Sequence, residues 1–496
     1  MKRNSATLRL VPAKRPLLFF FLLALEQCAP YPVFRQHPPQ KKKTIAGHTA
    51  PTHARKETNA LGEVELRPST DDRYRADSVA AMHDQSKDAA PPVSAGDTVQ
   101  PRISIAPPSS SPSFHVPCRF IRIALRQNLR RAELTSTGRI DILSSGSDRV
   151  SARGDFTFES TSSEKIICRI PQQGVKEYAL PCTLHSANAF NVIEFNGAGY
   201  RGSMILTAEG RGLFSVINRC DVEDYLRGVV PLEIGNGSEE EVEAIKAQAV
   251  AARTYTYKKI LERQKQAFDL LPTIADQVYG GVGVEKPQCN RAIGDTRDLV
   301  AVFQDSLIYA YYHSTCGGRT ANVEDVWDKA GLPYLRSIAD QDEKGGAYCA
   351  GSPNFTWEES WPVSQLSTII GRFSRETFPQ NPATGRFSSF AVDSRYACGR
   401  CRSCKITTAN GVVLYGGDKI RFVLRRNMSG FPILRSAVIT KVSMFGGNLH
   451  VGGRGYGHGI GMCQYGAIGR ALAGQSYEHI IKAYYTGVEI RSISAE

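Results

Sequence analysis

The sequence contains no apolar stretch long enough to cross a membrane as a helix. Its longest apolar run, Leu17–Leu25, has about nine residues, whereas a spanning helix needs roughly 20. The run does have the length of a signal-peptide core. We therefore expect no transmembrane helix in the rest of the chain.

Acidic residues are scarce at one end of the chain. The first 60 residues contain eleven Lys and Arg but only two acids, Glu26 and Glu57, which gives this segment a net charge of +9. Because the whole chain carries +13, only +4 remains for the other 436 residues. The basic charge is therefore local, which disfavours a globally basic nucleic-acid-binding protein, and we expect no nucleic-acid partner.

The beginning of the chain is typical of an export signal, which we place at residues 1–28. Five Lys and Arg precede the apolar run, as in the positively charged region of a signal peptide. Cys28 raises the alternative of a lipid-modified cysteine, although the LEQ tripeptide before it lacks the small residues of such a processing site. A cleaved signal, a lipoprotein and an uncleaved anchor stay open. Each predicts an extracytoplasmic protein, in the periplasm or cell wall, and the last two add membrane attachment through the N-terminus.

Large apolar side chains are sparse in residues 29–115, where Pro, Ser, Lys, Ala and Gln dominate. Such a composition cannot bury enough apolar surface to offset the entropy lost on ordering. We therefore expect a disordered linker over 29–115, followed by one continuous catalytic region over 116–496.

Several signatures of common enzyme classes are also missing. There is no G-x-S-x-G of a serine hydrolase, no H-E-x-x-H of a zinc protease and no Walker loop. The glycine-rich segment 453–461 fails the G-x-G-x-x-G spacing, which excludes a dinucleotide site.

Cysteine, by contrast, is abundant, with twelve in the chain. Export would permit disulfides, and the odd number outside the signal leaves at least one free thiol or metal ligand. Cys398, Cys401 and Cys404 have the spacing of part of a Zn or Fe–S site, but no fourth ligand is evident nearby. Disulfide pairing is favoured, and a metal site and free thiols stay open. Likewise, Cys316 could share a metal with His313 or form a disulfide with Cys349, and we assign no metal ligands from the sequence.

The pattern of apolar and turn residues in 116–496 predicts an α+β fold. Short alternating segments separated by turn residues indicate strands at 121–126, 139–144, 164–170, 192–197, 203–208 and 213–219. Ser238 and Glu241 form a capping-box pattern that opens a long helix to about residue 264. The helical period of 464–485 predicts one closing helix. We expect β-rich lobes around a substrate groove, with the long, alanine-dense helix buried between them.

One carboxylate stands in an apolar frame. Glu233 follows Val229-Val230-Pro231-Leu232 and precedes Ile234. Burial of this kind would disfavour the charged form and raise the pKa of the carboxyl, as a general acid at a glycosidic oxygen requires. A surface glutamate before a helix is the alternative interpretation.

Glycine occupies every second position of 453–461. In an extended strand this leaves one face bare and displays Arg454, Tyr456, His458 and Ile460 on the other. Arg, Tyr and His together suit a polar ligand with ring faces, such as a sugar. Tight strand packing, with His458 hydrogen-bonded in the core, is the alternative.

Six blocks together resemble the SpoIID/LytB family of stage II sporulation protein D and amidase-enhancer proteins. They occur in the family's order and are VEDYLRGVVPLEI (222–234), EVEAIKAQAVAARTY (241–255), DQVYGG (276–281), HSTCGGRT (313–320), EDVW with PYLRS (324–337) and GRGYGHGIGMCQYGA (453–467). The resemblance implies a cell-wall protein that acts on peptidoglycan glycan strands, with a cell-wall amidase as an alternative partner.

In the sporulation branch, the family activity is lytic transglycosylation of the bond between N-acetylmuramic acid and N-acetylglucosamine. The resemblance implies that Glu233, in the VVPxE motif, acts as a single acid and base without a cofactor and leaves 1,6-anhydro ends. By motif position it also implies substrate-binding roles for Lys246, Gln248, Arg253, Gln277, Tyr279, His313, Arg454, Tyr456, His458 and Gln464. The alternative is a LytB-type activator of an N-acetylmuramoyl-L-alanine amidase, which does not cleave glycan.

Overall fold

The computed structural model describes residues 114–116, 118–186, 188, 191–430 and 432–495. The predicted export signal (1–28) and nearly all of the predicted linker (29–115) lie outside these residues. The first strand of the described residues begins at Phe114, two residues before the predicted boundary at 116. None of the helices in the described ranges is both long and apolar enough to cross a membrane.

Strands dominate the described part of the chain. In chain order they are β1 Phe114–Val116, β2 Phe120–Leu129, β3 Arg131–Ser144, β4 Val150–Ser160, β5 Lys165–Ile170, β6 Gly174–Ala179, β7 Cys182–Ser186, β8 Ile193–Phe195, β9 Ala198–Tyr200, β10 Ser203–Gly210, β11 Leu213–Asp221, β12 Leu299–Phe303, β13 Ser306–Leu307, β14 Tyr312–His313, β15 Thr356–Pro362, β16 Phe387–Arg395, β17 Cys401–Thr408, β18 Gly411–Gly416, β19 Ile439–Phe445, β20 Asn448–Arg454, β21 Met462–Cys463 and β22 Glu489–Ala495.

The helices are fewer and mostly short. They are α1 Val222–Arg227, α2 Val230–Ile234, α3 Val242–Glu262, α4 Pro287–Asp295, α5 Val323–Val326, α6 Val363–Thr377, α7 Ile420–Val423, α8 Gln464–Leu472 and α9 Tyr477–Tyr484. This mixture of helices with largely antiparallel strands agrees with the predicted α+β class.

The largest sheet has ten antiparallel strands, all from the first half of the folded region. Its path runs β2-β11-β10-β7-β3-β4-β5-β6, with β8 added on β3 and β9 on β8. The six strands predicted from alternation correspond to β2, β3, β5, β8, β10 and β11. Inward-facing side chains such as Ile140, Ile142 and Phe158 are fully buried, because period-two alternation places them on the core face.

The long helix α3 is buried along most of its length. A turn of 3₁₀ helix at Glu239–Glu241 precedes it, and the Glu241 carboxylate accepts a 2.7 Å hydrogen bond from the Ser238 N–H, as the capping-box pattern predicts. Its five alanines from Ala244 to Ala252 have at most 2% exposure. These small side chains allow close packing of α3 against α4, α8, α9 and β12.

A second hydrophobic core lies in the stretch that begins at β15 and ends at β20. Trp361, Phe390, Ile406, Tyr415 and Leu449 are among its buried members. Two three-stranded sheets, β15-β20-β19 and β16-β17-β18, enclose it together with α6 and α7. Cys401 and Cys404 are buried in this core, whereas Cys398 packs against the first core. The chain therefore leaves the first core at β15 and returns to it after β20.

Two elements differ from the sequence-based expectation. The closing segment 464–485 forms two helices rather than one, because Gly474 adopts a positive φ of 81° between α8 and α9. The segment after β20 is not a strand either, since Gly455, Gly457, Gly459 and Gly461 have φ between 68° and 108°. This conformation favours glycine, which explains the alternation without an extended strand.

Candidate active site around Glu233

The segment that carries Glu233 is positioned by two short helices after β11. The Asp221 side chain accepts a 2.8 Å hydrogen bond from the Glu223 N–H and so caps α1. Gly228 ends α1, and a Cβ at this position would lie 2.6 Å from the Tyr279 ring. Pro231 lies in the first turn of α2, where its missing N–H costs nothing.

The Glu233 carboxylate is partly exposed and is held from two directions. Its Oε1 accepts a hydrogen bond from the Val278 N–H, and its Oε2 accepts one from the Gln464 side-chain amide, both at 3.3 Å. These donors belong to the DQV and GMCQ blocks of the sequence. Three segments that lie far apart in the chain thus meet at one carboxylate.

A second glutamine lies behind this contact. The Gln464 Nε2 is also 3.5 Å from the Oε1 of Gln248, which is fully buried on α3. Within the described residues the Gln248 Nε2 has no hydrogen-bond partner. A buried amide N–H without a partner is costly, so this donor is available to a ligand or water next to Glu233.

Gln277 organises two tyrosines near the carboxylate. Its Oε1 accepts from the Tyr225 hydroxyl at 3.2 Å and from Thr256 at 3.0 Å, while its Nε2 donates to the Tyr312 hydroxyl at 3.0 Å. Burial first, and then the nearby charge of Glu233, raises the pKa of Tyr312 well above its ordinary value. The side chain of Gln277 is therefore hydrogen-bonded within the protein, and it positions the hydroxyl groups of the two tyrosines.

Tyr279 also has a packing role. Its ring lies 4.8 Å from the Tyr225 ring and 5.5 Å from the Tyr200 ring, and its hydroxyl donates to Asn218 at 3.0 Å. With 7% exposure, it supports the turn at Gly228 rather than presenting a surface to a substrate.

The buried His313 and the half-buried His458 lie next to each other beside Tyr312, with ring centroids 5.4 Å apart. The His458 Nδ1 accepts from the Ile460 N–H, so its Nε2–H donates to the Tyr312 carbonyl at 3.0 Å. Burial, followed by the charges of Arg421 and Arg400, lowers the pKa of His458 to about 3. His458 is therefore neutral, and its hydrogen bond holds the Tyr312 carbonyl in place.

Arg253 lies away from the carboxylate. Its guanidinium has no exposed surface and pairs through two nitrogens with Glu223, at 2.7 and 2.8 Å, and also donates to the Leu299 and Ile293 carbonyls. All of these acceptors belong to the protein. The predicted role in substrate binding does not fit this placement, because every guanidinium nitrogen is occupied and buried.

The structure gives three other predicted binding residues, Lys246, Arg454 and Tyr456, the following contacts. Lys246 pairs with Glu243 and Asp295. Arg454 is exposed with its guanidinium 5.9 Å from the Phe355 ring, and the Tyr456 backbone pairs with Thr315. Among the ten predicted binding residues, Gln464 donates a hydrogen bond to the carboxylate, and Gln248 lies 3.5 Å from Gln464.

The sequence interpretation missed Arg400, which comes from the second core. Its side chain is buried under the glycine-rich segment and donates to the Gly457 carbonyl at 3.3 Å. A Cβ on Gly459 would lie 2.0 Å from this guanidinium. The glycine alternation was the available signal, since it indicated close approach of another group, but nothing in the sequence indicated which group.

Comparison with known proteins finds a family model that matches the segment carrying these residues. The family model described as Stage II sporulation protein matches residues 211–303, which include Glu233, α3 and Gln277. An uncharacterised protein of Brachyspira hyodysenteriae is 31% identical over 296 residues, which cover 60% of this chain and 73% of that protein. The chain belongs to the stage II sporulation protein D family.

Two further relatives have names that refer to a function or a process. The amidase enhancer of Bacillus subtilis is 32% identical over 296 residues, which cover 54% of this chain but only 40% of the enhancer. Stage II sporulation protein D of the same organism is 27% identical over 298 residues, which cover 56% of this chain and 77% of that protein. A second model, a domain of unknown function, matches residues 343–461, which include the second core.

Proposed function

We propose that this protein is an extracytoplasmic lytic transglycosylase that cleaves the glycan strands of peptidoglycan with Glu233. The supporting observation is the convergence of the VVPLE, DQV and GMCQ segments on one partly exposed carboxylate. Hydrogen bonds from the Val278 N–H and the Gln464 amide fix its direction, which is what a positioned acid requires.

In the proposed reaction, the protonated Glu233 donates its proton to the oxygen that links N-acetylmuramic acid to N-acetylglucosamine. The bond between that oxygen and the muramic C1 breaks, and the resulting Glu233 carboxylate removes the proton from the muramic 6-hydroxyl. The 6-oxygen then bonds to C1, giving a 1,6-anhydro ring and restoring the protonated acid. One carboxyl suffices because no water enters the reaction.

The neutral amides around Glu233 suit this cycle. Gln464 can donate to either charge state of the carboxyl without transferring a proton of its own, since amides do not titrate near neutral pH. The unpartnered Gln248 N–H is a donor for a carbonyl oxygen, such as that of an N-acetyl group. We propose that these two amides orient the acid and the substrate, and that a groove runs past them.

The test compares the full-length chain with Glu233→Gln on purified peptidoglycan, both intact and stripped of stem peptides. Mass spectrometry of the products should show 1,6-anhydro-muramic ends with the native chain, and a rate lower by about 100- to 10,000-fold in the variant. Glu239→Gln, which changes an exposed glutamate six positions away, is the matched control and should retain activity. Cleavage that survives in Glu233→Gln would contradict the assignment of the acid.

A second candidate function is activation of a cell-wall amidase, favoured by the similarity to the amidase enhancer of Bacillus subtilis. In that case the native chain and Glu233→Gln would both accelerate an added amidase, and neither would produce anhydro ends from any glycan. The same set of samples therefore separates the two functions.

A further inference from the structure

Three cysteines and an aspartate meet in the first core, beside the candidate active site. The ligand atoms of Cys316, Asp340, Cys349 and Cys463 all lie within 4.8 Å of one another. Each of the four residues has at most 1% exposure. They come from three separate parts of the chain, so the fold itself creates the cluster.

Two distances within the cluster fit a tetrahedral metal better than a disulfide. The Sγ atoms of Cys316 and Cys349 are 3.5 Å apart, and the Cys316 Sγ is 3.3 Å from the Asp340 Oδ2. A disulfide requires a separation of about 2.05 Å. With Zn–S near 2.3 Å and Zn–O near 2.0 Å, the edges of a tetrahedron are about 3.8 and 3.5 Å.

Backbone N–H groups already point at the sulfurs. The Cys463 Sγ accepts from the Cys316 N–H at 3.1 Å and from the Gly466 N–H at 3.2 Å, while the Cys316 Sγ accepts from the Gly318 N–H at 3.3 Å. Such donors stabilise the thiolate form, which is the form that binds metal.

The aspartate is held by an outer set of groups. Its Oδ1 accepts hydrogen bonds from the Arg470 Nε at 3.1 Å and from the Tyr484 hydroxyl at 2.8 Å, which leaves Oδ2 facing the sulfurs. Partners of this kind orient a ligating carboxylate. Arg470 also supplies a positive charge against the excess negative charge of three thiolates and a carboxylate.

We propose that Cys316, Asp340, Cys349 and Cys463 bind one Zn²⁺ as a closed, structural site. Thiolate-rich tetrahedral ligands favour zinc over magnesium or calcium. The site joins β14 and the loops around Asp340 and Cys349 to the start of α8. Since Cys463 directly precedes Gln464, the metal would fix the residue that contacts Glu233.

The sequence left open a metal shared by Cys316 and His313 or a disulfide between Cys316 and Cys349, and it assigned no metal ligands. The proposed zinc site differs from each of these expectations. His313 is not among the four residues whose ligand atoms meet in the cluster. A disulfide between Cys316 and Cys349 would leave the Cys463 thiol and the Asp340 carboxyl buried beside the S–S bond. The zinc site does not depend on the proposed enzymatic activity, since metal content is measured without substrate.

The first experiment measures metal in the full-length chain purified under reducing conditions from zinc-supplemented cells. Inductively coupled plasma mass spectrometry should find about one Zn per chain in the native protein and in Cys168→Ser, a buried-thiol control in the ten-stranded sheet. Cys349→Ser and Cys463→Ser should each lose most of this zinc. Less than about one tenth of an equivalent in the native chain, or iron in place of zinc, would overturn the proposal.

A second measurement guards against variants that fail to fold. The native apo chain, prepared with a chelator and checked by circular dichroism, is titrated with Co²⁺ alone. A tetrahedral thiolate site gives an intense thiolate-to-cobalt charge-transfer band together with visible ligand-field bands, and added Zn²⁺ should abolish both. The absence of these bands, or a mapped Cys316–Cys349 disulfide in the native chain, would refute the zinc site.

Discussion

The side-chain amide of Gln464 lies 3.3 Å from the carboxylate of Glu233, although 231 positions separate the two residues. Gln464 is the first residue of α8, and Glu233 is the fourth residue of α2. The candidate acid is therefore oriented by a helix near the end of the chain that packs in the first core.

Gln464→Ala should lower activity without abolishing it. A hydrogen bond to a charged group contributes about 1.5–3 kcal/mol, which corresponds to a roughly 10- to 100-fold lower kcat/KM. Steady-state rates of anhydro-end formation measure this effect. Gln264→Ala, which truncates an exposed glutamine, should behave as the native chain, and an equal loss in both variants would argue against an orienting role for Gln464.

Arg253→Met should destabilise the fold, since it leaves the buried Glu223 without its cation. Breaking a buried ion pair typically costs about 3–5 kcal/mol, which we expect to lower Tm by on the order of 10 °C. The double variant Arg253→Met/Glu223→Gln should recover part of this loss. Lys246→Met, on the same helix with a more exposed side chain, should cost about 1 kcal/mol or less. An Arg253→Met chain of native Tm would contradict this view.

Stability should fall as the pH is lowered from about 6.5. Burial lowers the pKa of His458 to about 3 and that of His313 well below its ordinary value. Below the unfolded-state pKa near 6.5, the unfolded chain therefore binds protons that the folded chain does not. Each histidine should contribute a slope of up to about 1.4 kcal/mol per pH unit between pH 6.5 and the folded-state pKa.

Urea unfolding at several pH values measures this slope. His458→Gln should unfold with a shallower pH dependence, because one of the two buried imidazoles is gone. His479→Gln alters an exposed histidine and should leave the slope unchanged. A native chain whose free energy of unfolding is constant between pH 7 and pH 5 would show that the two rings are not held neutral.

Gly228→Ala should destabilise the segment before Glu233. The added Cβ would lie 2.6 Å from the Tyr279 ring and 3.0 Å from the Gly281 carbonyl oxygen, an overpacking that costs about 1–3 kcal/mol. Gly294→Ala is the matched control, because α4 offers its Cβ open space and alanine favours a helix by up to about 1 kcal/mol. Gly228→Ala should therefore lower the Tm, and Gly294→Ala should raise it. A change of the same sign in both variants would contradict the packing argument.

The local elements were largely predictable from the sequence, because they depend on neighbouring residues. Alternation indicated β2, β10 and β11, and the Ser238–Glu241 capping pair marked the start of α3. The two-helix ending and the turns at 455–461 were missed, since positive φ angles decide them, at Gly474 in the first case and at four alternate glycines in the second. Four glycines at alternate positions are consistent with both a strand and a series of turns.

The candidate site was predictable only in part. The VVPxE motif identified Glu233 directly, and motif position selected Gln464, but their contact could not be derived from spacing in the sequence. The motif position of Arg253 does not reveal whether its side chain faces a groove or the core, and the structure pairs it with Glu223 in the core. Its partner, Glu223, lies on α1 thirty residues earlier, and no local pattern links the two.

The parallel pairing of β1 with β22 has a topological consequence. Phe114 pairs with Ile493 and Val116 with Ala495, so Phe114 and Ala495, the two ends of the described range, lie about 8 Å apart. The backbone path is nearly a closed ring. A short peptide could join these ends, and new termini could open at the Gly446-Gly447 turn between β19 and β20. A circular permutant of this kind would keep Glu233 and Gln464 in place while reversing the order in which their segments leave the ribosome.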